Sequence, residues 1–155
     1  MPRNLSSYDL RNDVVELSDD IETTTENVDD LVGLIRVISP TLEAEAANTR
    51  RLLLQVEDKD GVEVEAVHNM LVEIRNGLGA VPADLLSFRA TDGGVGSLVV
   101  GGAGGGPHYI VATDNTGLID LDITDVAGGS GQTVQIIVMP LNFLAAPLMI
   151  NCAFD

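Results

Sequence analysis

Apolar residues recur every three or four positions along the first third of the chain. With Val14 at heptad position a and Leu17 at position d, the pattern continues to Ile38, and the intervening residues are mainly polar. A stripe this narrow, sustained over about four heptads, buries its side chains best against copies of itself and predicts a coiled coil. The stripe consists of Val14, Leu17, Ile21, Thr24, Val28, Leu31, Ile35 and Ile38, with Thr24 as its polar member.

Two further helices are predicted behind the first. Ser39 suits an N-cap and Pro40 the first helical position, which favours a helix over residues 41–58. Asp60 and Glu63 have the spacing of a capping box and predict a third helix that ends near Pro82. The residues at the three-and-four spacing are Leu42, Ala46, Thr49, Leu53 and Val56, then Val64, Val67, Leu71, Ile74, Leu78 and Val81.

Together these helices predict a segmented coiled-coil stalk over residues 13–82, with breaks near 39–40 and 58–61. Each segment would run parallel to its copies in an oligomer. A hairpin in which 41–58 folds back on 62–77 is the alternative. A mixed set of d residues with a terminal isoleucine favours three strands over two. The predicted oligomerisation residues are Val14, Leu17, Ile21, Thr24, Val28, Leu31, Ile35, Ile38, Val64, Val67, Leu71 and Ile74.

Residues 83–155 follow a different pattern, in which apolar and polar residues alternate. Short alternating runs between glycine-rich turns predict a small antiparallel β-sandwich or barrel, immunoglobulin-like or jelly-roll-like. The predicted fold class is therefore α+β, with a docking tail at 1–12, the helical stalk and this β head. A head of about 70 residues has a thin core, so association is expected to stabilise it. The predicted strands are 85–91, 97–100, 108–113, 117–124, 133–139 and 148–155.

The charge balance limits the kinds of partner. The chain carries 24 acidic and 8 basic residues, a formal net charge of −16. This argues strongly against nucleic acid, because phosphate binding needs clustered lysine and arginine, and against anionic membrane surfaces. Lys59 is the only lysine. An acidic, lysine-poor surface stays soluble at high salt and fits a halophilic host, but a GC-rich genome explains the same composition equally well.

Two segments resemble ligand-binding loops only superficially. In the glycine-rich segment 101–108, no Lys-Ser or Lys-Thr pair follows the glycines, so a phosphate-binding loop is not predicted. Counting Gly61 as the sixth position of a calcium loop places Val56 and Val67 where acidic ligands are required. Both segments are therefore predicted to be connections between elements.

Few side chains are candidates for catalysis or metal binding. His68 and His108 are the only histidines, and in a trimer each would recur three times near the axis, where it could hold a metal or an anion. Cys152, the only cysteine, lies in an alternating apolar run and is predicted to be a core residue. We predict no catalytic residue, no metal site and no cofactor. Four aspartates are compatible with a cation site but are better explained as a solvated acidic face, namely Asp114, Asp120, Asp122 and Asp125.

The layout of the whole chain resembles that of homotrimeric fibre, spike and capsid-decoration proteins of tailed viruses. The shared features are a short N-terminal tail, a heptad stalk and a glycine-rich β head. The segment 111–125, VATDNTGLIDLDITD, is similar to the TDxxG strand–turn–strand of immunoglobulin-like modules in such proteins and in bacterial adhesins. The chain departs from true immunoglobulin-like domains in having no tryptophan.

The resemblance implies a structural virion protein, located in the virus particle as a homotrimeric decoration, spike or fibre component. Its partners would be copies of itself and other virion proteins, such as a major capsid or tail protein. The alternative is a host-surface adhesin or receptor-binding tip whose glycine-rich loops contact a ligand. A third interpretation is an enzyme with a site around His108 at subunit boundaries, but the family implies no catalytic residues and we predict no enzyme.

Overall fold

The structure is a computed structural model that describes residues 7–76, 88–101, 107–126 and 131–155. Within these ranges it describes all side chains but those of residues 7–13, 29–31 and 76. The chain divides into two compact units, Met1–Leu34 and Ile35–Asp155. The first unit contains one helix, α1 (Ser7–Gly33).

In its described residues, the second unit contains ten strands, which form two five-stranded sheets. The first sheet has the strand order β4-β7-β2-β1-β9, and the second has the order β10-β8-β3-β6-β5. Neighbouring strands run antiparallel, apart from a short parallel pairing of β1 with β9. The strands are β1 (Ile35–Leu42), β2 (Thr49–Asp58), β3 (Asn69–Asn76), β4 (Phe88–Asp92), β5 (Ser97–Val100), β6 (His108–Ala112), β7 (Leu118–Asp125), β8 (Thr133–Pro140), β9 (Leu144–Ala145) and β10 (Leu148–Ala153).

One hydrophobic core joins the two sheets. Alternate residues of each central strand point into it, such as Leu52 and Leu54 from β2 and Val72 from β3, because successive side chains in a strand face opposite ways. Tyr109 is the bulkiest fully buried side chain, and it fits because Gly101 lies against its ring. A Cβ atom at Gly101 would come 2.5 Å from the Tyr109 ring, so this glycine is required by packing as well as by its φ of 106°.

The predicted fold class, α+β with segmented coiled-coil helices, is wrong, because the chain is mostly β. Residues 49–58 and 69–76 are strands β2 and β3, where the spacing predicted the second and third helices. In β2 the inward residues Leu52, Leu54 and Val56 are buried and alternate with half-exposed neighbours. Leu53 fitted a helical spacing because it is an apolar residue on the outward side of the strand, between the buried Leu52 and Leu54.

The breaks predicted near 39–40 and 58–61 have different structural roles from those expected. Pro40 lies inside β1, where its partner in β2 is Leu54. On the other side of β1, strand β9 pairs only with Ile35 and Arg36, so the missing N–H of Pro40 disrupts no described pairing with β9. Asp58 closes a turn by accepting hydrogen bonds from the backbone N–H groups of Asp60 and Val62, and the chain from there to β3 is irregular rather than helical.

A tight turn that the sequence did not indicate joins β1 and β2. Ala46 and Thr49 exchange two backbone hydrogen bonds of 2.9 and 3.0 Å. The two residues between them, Ala47 and Asn48, both have positive φ angles, 51° and 62°. Two consecutive positive φ angles define a type I′ hairpin turn, which normally carries Asn-Gly or Asp-Gly. An alanine in this position gives no turn signal in the sequence.

The strands predicted from residue 88 onwards are present, and their bounds lie within one or two residues of those expected. Residues 85–87 of the first of them lie outside the described residues, as do Leu78, Val81 and the centre of the glycine-rich segment 101–108. The TDxxG segment forms a strand–turn–strand that carries the chain from β6 in the second sheet to β7 in the first. In its turn, Asp114 Oδ1 accepts hydrogen bonds from the Thr116 hydroxyl and from the Thr116 and Leu118 N–H groups, and these bonds lower the pKa of Asp114.

Candidate self-association site

The apolar stripe of α1 lies open to solvent in the single chain. Val14, Leu17, Ile21 and Val28 follow the heptad spacing on this helix, and between 51% and 66% of each residue is exposed. Isolated helices gain little from propensity alone, and most helix stability in proteins comes from packing of the apolar face. A 27-residue helix with an uncovered stripe therefore has the form of one half of a contact.

Thr24 interrupts this stripe less than its residue type suggests. Its hydroxyl donates a 2.7 Å hydrogen bond to the backbone carbonyl of Asp20, one turn earlier in the helix. Thr25 makes the same kind of bond to Ile21. Because the Thr24 hydroxyl is already satisfied within its own helix, it needs no polar partner across a helix contact. The Thr24 methyl group remains available for packing.

The charge on α1 opposes its own helical structure. Its sequence contains nine acidic residues and a single arginine. Glu16 with Asp20 and Glu22 with Glu26 are like-charged pairs at i and i+4, a spacing that destabilises a helix by a few tenths of a kcal/mol for each pair, about 0.2–0.5. No basic residue lies in the last turn, where a cation would favour the helix dipole. Packing against another apolar surface would offset these costs.

The remaining predicted oligomerisation residues are not gathered on one surface. Ile38 faces the core of the second unit and is buried, whereas Ile35 begins β1 and is exposed. Ile74 is likewise a core residue of β3. Val64 and Val67 lie in the irregular segment before β3, and Leu71 lies on the outward side of that strand. Leu31 belongs to α1, but its side chain is outside the described set.

The outward side of the second sheet is a second apolar surface. The residues that alternate with its core positions include Leu71 at the centre, paired with Ile110 on one side and Met139 on the other. Ile137 pairs with Met149, which is 60% exposed. We call this surface the second-sheet outer face; it comprises Leu71, Glu73, Arg75, His108, Ile110, Gln135, Ile137, Met139, Met149 and Asn151.

An ion-pair cluster lies within the second-sheet outer face. The Glu73 side chain is only 8% exposed, and its carboxylate accepts a 2.9 Å hydrogen bond from the Arg75 guanidinium. His108 Nε2 lies 3.3 Å from the other Glu73 oxygen. The hydrogen bond from Arg75, aided by the nearby His108, holds the pKa of Glu73 below its usual value. The carboxylate is therefore charged at neutral pH and its charge is locally balanced.

The outward side of the first sheet is more polar around its central strand, β2, where Leu53 has Thr41 and Asp120 as cross-strand neighbours. Arg51 binds the fully buried Asp120 carboxylate through Nε at 2.8 and 2.9 Å and through a second guanidinium nitrogen at 2.5 Å. The hydrogen bond and the charge of Asp120 raise the pKa of Arg51. Gly93 makes room for this pair, since a Cβ atom there would lie 2.4 Å from an Asp120 oxygen. This first-sheet outer face also includes Ile35, Val37, Ser39, Thr41, Leu53, Gln55, Glu57, Arg89, Thr91, Leu118, Asp122 and Thr124.

The four aspartates considered for a cation site have separate roles. Asp120 is paired with Arg51, and Asp114 closes the turn before β7. Asp125 is buried at the end of β7 beside Phe88, whereas Asp122 is half-exposed. Within the described ranges, no three side chains of histidine, cysteine, aspartate or glutamate are close enough to hold a metal ion together.

The histidine and cysteine candidates are buried or paired. Cys152 is a core residue, and burial raises the pKa of its thiol to about 11, which makes it a poor nucleophile. His68 is 7% exposed and packs against Phe143 with 4.7 Å between ring centroids. Its Nε2 atom has no hydrogen-bond partner among the described residues. Burial, and more weakly the charge of Arg36, lower the pKa of His68.

We expect His68 to make folding stability pH-dependent below about pH 6.5, the ordinary pKa of histidine. Its folded pKa is lowered, so between that pKa and 6.5 the unfolded chain binds a proton that the folded chain excludes. Stability should therefore fall as the pH falls through this interval, by at most about 1.4 kcal/mol per pH unit. Urea unfolding between pH 7 and pH 5 measures the slope.

The matched variant for this experiment is His68→Phe, which keeps an aromatic ring against Phe143 and removes the titrating group. Its free energy of unfolding should vary less between pH 7 and pH 5 than that of the unmodified chain. The carboxylates with lowered pKa values, Asp58, Glu73 and Asp114, titrate below this interval. An equal slope in both proteins would refute the assignment to His68.

Comparison with known proteins adds no family to these observations. No protein-family model matches the chain, and no curated protein matches it. No helix in the described part of the chain combines the length and hydropathy needed to cross a bilayer. The features that indicate a function are therefore the two surfaces with exposed apolar side chains, α1 and the second-sheet outer face.

Proposed function

We propose that this protein is a non-catalytic assembly protein that associates with copies of itself through α1. The observation that carries the proposal is the exposed stripe of Val14, Leu17, Ile21 and Val28 on a helix with an unfavourable charge pattern. Covering these side chains gains roughly 25 cal/mol for each Å² of apolar surface removed from water. The same stripe on every copy makes a symmetric contact self-complementary.

The particular role that we propose is a structural component of a tailed-virus particle, as a capsid decoration, spike or fibre protein. The support is the arrangement of a helical segment before a glycine-rich β unit, together with the resemblance described for the sequence. An antibody against the β unit should label purified particles, and mass spectrometry of those particles should detect the chain in many copies. Recovery of the chain only from particle-free fractions, or its binding to host cells without particles, would reject this role.

The number of copies in the proposed assembly is three. The resemblance to homotrimeric proteins supports this number, whereas Ile38 no longer does, because it belongs to the β core. The a and d residues that remain on α1 are β-branched at a and include leucine at d, a combination that is also compatible with two strands. A mass measurement decides between two and three without altering the proposed mode of association.

Salt should strengthen the association. Raising NaCl from about 0.1 M to about 1 M shortens the Debye length from about 10 Å to about 3 Å, which screens repulsion between the acidic residues of α1. We expect both the helical signal in circular dichroism and the fraction of assembled protein to increase. The double variant Glu22→Gln, Glu26→Gln should show a smaller increase, since it removes two like-charged i,i+4 pairs, Glu22 with Glu26 and Glu26 with Asp30. Loss of helical signal in high salt would contradict the proposal.

A further inference from the structure

We propose that the second-sheet outer faces of the copies joined through α1 pack together around the symmetry axis of the assembly. This inference depends on the proposed self-association through α1 and adds a second contact to it. The face is formed by side chains on four adjacent strands, and Leu71 lies at its centre with Ile110 and Met139 beside it. Partner residues would cover Met149 and the half-buried side chains around Leu71.

The two outer faces of the β unit differ in the residues around their central strands. This difference indicates which face is suited to a contact and which is suited to solvent. Around Leu71, the nearest outward residues across the strands are apolar, namely Ile110 and Met139. The equivalent residue on the central strand of the first sheet is Leu53, and its cross-strand neighbours are Thr41 and Asp120. Burial of the polar groups around Leu53 would cost free energy for each unpaired group, whereas burial of the apolar side chains around Leu71 gains it.

Charge favours a second copy as the occupant. A chain with a net charge of −16 repels its own copies over most of its surface. The second-sheet outer face contains one carboxylate, Glu73, and it also contains Arg75 and His108. Two copies can therefore meet at this face without opposing unpaired carboxylates. The Glu73 charge is already shielded by Arg75, which reduces the cost of removing it from water.

The size of the face also favours a copy of the chain, attached through α1, over an independent protein as its occupant. Strands of about six residues at about 3.3 Å per residue, four of them about 4.8 Å apart, give a face of roughly 400 Å². A stable contact between separate proteins buries about 800 Å² from each partner, so this face is too small to hold an independent protein firmly. A copy attached through α1 has a high effective concentration at the face, and a small contact is then sufficient.

The first test compares two lysine substitutions in the full chain, Leu71→Lys and Leu53→Lys. Both replace a half-buried leucine on the outward side of a central strand, and both make the chain less negative. We expect Leu71→Lys to weaken association by about tenfold or more in sedimentation equilibrium, because every copy would bury a lysine, and Leu53→Lys to leave it unchanged. Equal association of the two variants would overturn the inference. Circular dichroism melting of both variants checks that the β unit is folded.

The second test measures how fast a maleimide labels a cysteine placed on each face. Met149→Cys reports on the second-sheet outer face, and Thr41→Cys, an exposed position, reports on the first. The native Cys152 is buried and does not compete. In the assembled protein we expect Met149→Cys to react at least about tenfold more slowly than Thr41→Cys, as a covered site should. When Val28→Lys is added to prevent association through α1, the two rates should become similar.

The outcomes separate this inference from the proposed function. If the unmodified chain is monomeric, the proposed function fails and the inference fails with it. If the chain is assembled and cysteines at positions 149 and 41 react equally fast, the contact at the second-sheet face is rejected while association through α1 stands. Slow labelling at position 149 that depends on an intact α1 supports both.

Discussion

Replacing Val28 by lysine should convert the assembled protein into monomers. Val28 is at an a position of the α1 stripe, so lysines from all copies would meet at the helix contact. The substitution removes the burial of a valine, about 2 kcal/mol for each chain, and adds repulsion between the ammonium groups. Because the loss recurs in every copy, we expect the dissociation constant to rise by several orders of magnitude. Light scattering coupled to size-exclusion chromatography measures the change in mass.

The control for Val28→Lys is Val15→Lys. The two valines are on the same helix and are almost equally exposed in the single chain, at 51% and 53%. They differ in position, because Val15 follows the a position at Val14 and points away from the stripe. Val15→Lys should therefore keep the mass of the unmodified protein. Equal loss of assembly in both variants would show that helix destabilisation, and not the stripe, governs association.

Replacing Arg51 by methionine should be the most destabilising of the single substitutions on the first-sheet outer face. The Asp120 carboxylate is fully buried, and Arg51 supplies three of its hydrogen bonds. Removing one partner of a buried pair leaves an uncompensated charge, which costs about 3–5 kcal/mol. Arg51 is 44% exposed, so solvent screens part of this interaction and we expect a loss smaller than that for a fully buried pair but clearly larger than that of the control variant. Urea unfolding measures the free energy.

The adjacent substitution Arg50→Met provides the control for Arg51→Met. Arg50 donates hydrogen bonds to the backbone carbonyls of Glu43 and Ala153, but it pairs with no buried carboxylate. Both of these hydrogen bonds are exposed to solvent, so their loss should lower the free energy of unfolding less than leaving the buried Asp120 carboxylate unpaired. If Arg50→Met and Arg51→Met lower the free energy of unfolding equally, Asp120 does not depend on Arg51 as the geometry indicates.

The strands behind residue 88 could be predicted from the sequence, whereas β1, β2 and β3 could not. Behind residue 88, alternation and turn residues agree, as in Leu121 and Ile123 between Asp120 and Asp122. In β2, three consecutive leucines satisfy both a helical and a strand spacing. The decisive information is the pairing of β2 with β7 and of β3 with β8, which joins residues far apart in the chain. Local spacing does not contain it.

The two proposed contact surfaces also differ in whether a local sequence pattern reveals them. The α1 stripe is visible in the sequence because its residues follow one another along one helix. The second-sheet outer face combines Leu71, Ile110 and Met139 from three separate strands, so no local pattern reveals it. Leu71 was predicted to lie in a helix contact. It is an apolar residue on the outward side of β3, and for this reason it fitted the helical spacing. Ile38 and Ile74 resembled stripe residues because they are core residues of strands.

The mass of the full chain in solution at about 1 M NaCl tests the central claim, self-association, most directly; at this salt concentration the Debye length is about 3 Å and charge repulsion is weak. One chain has a mass of 16.3 kDa. Light scattering should give three chains, about 49 kDa, and a mass of two chains would retain self-association while rejecting the trimer. A mass of one chain at all accessible protein concentrations would contradict the account.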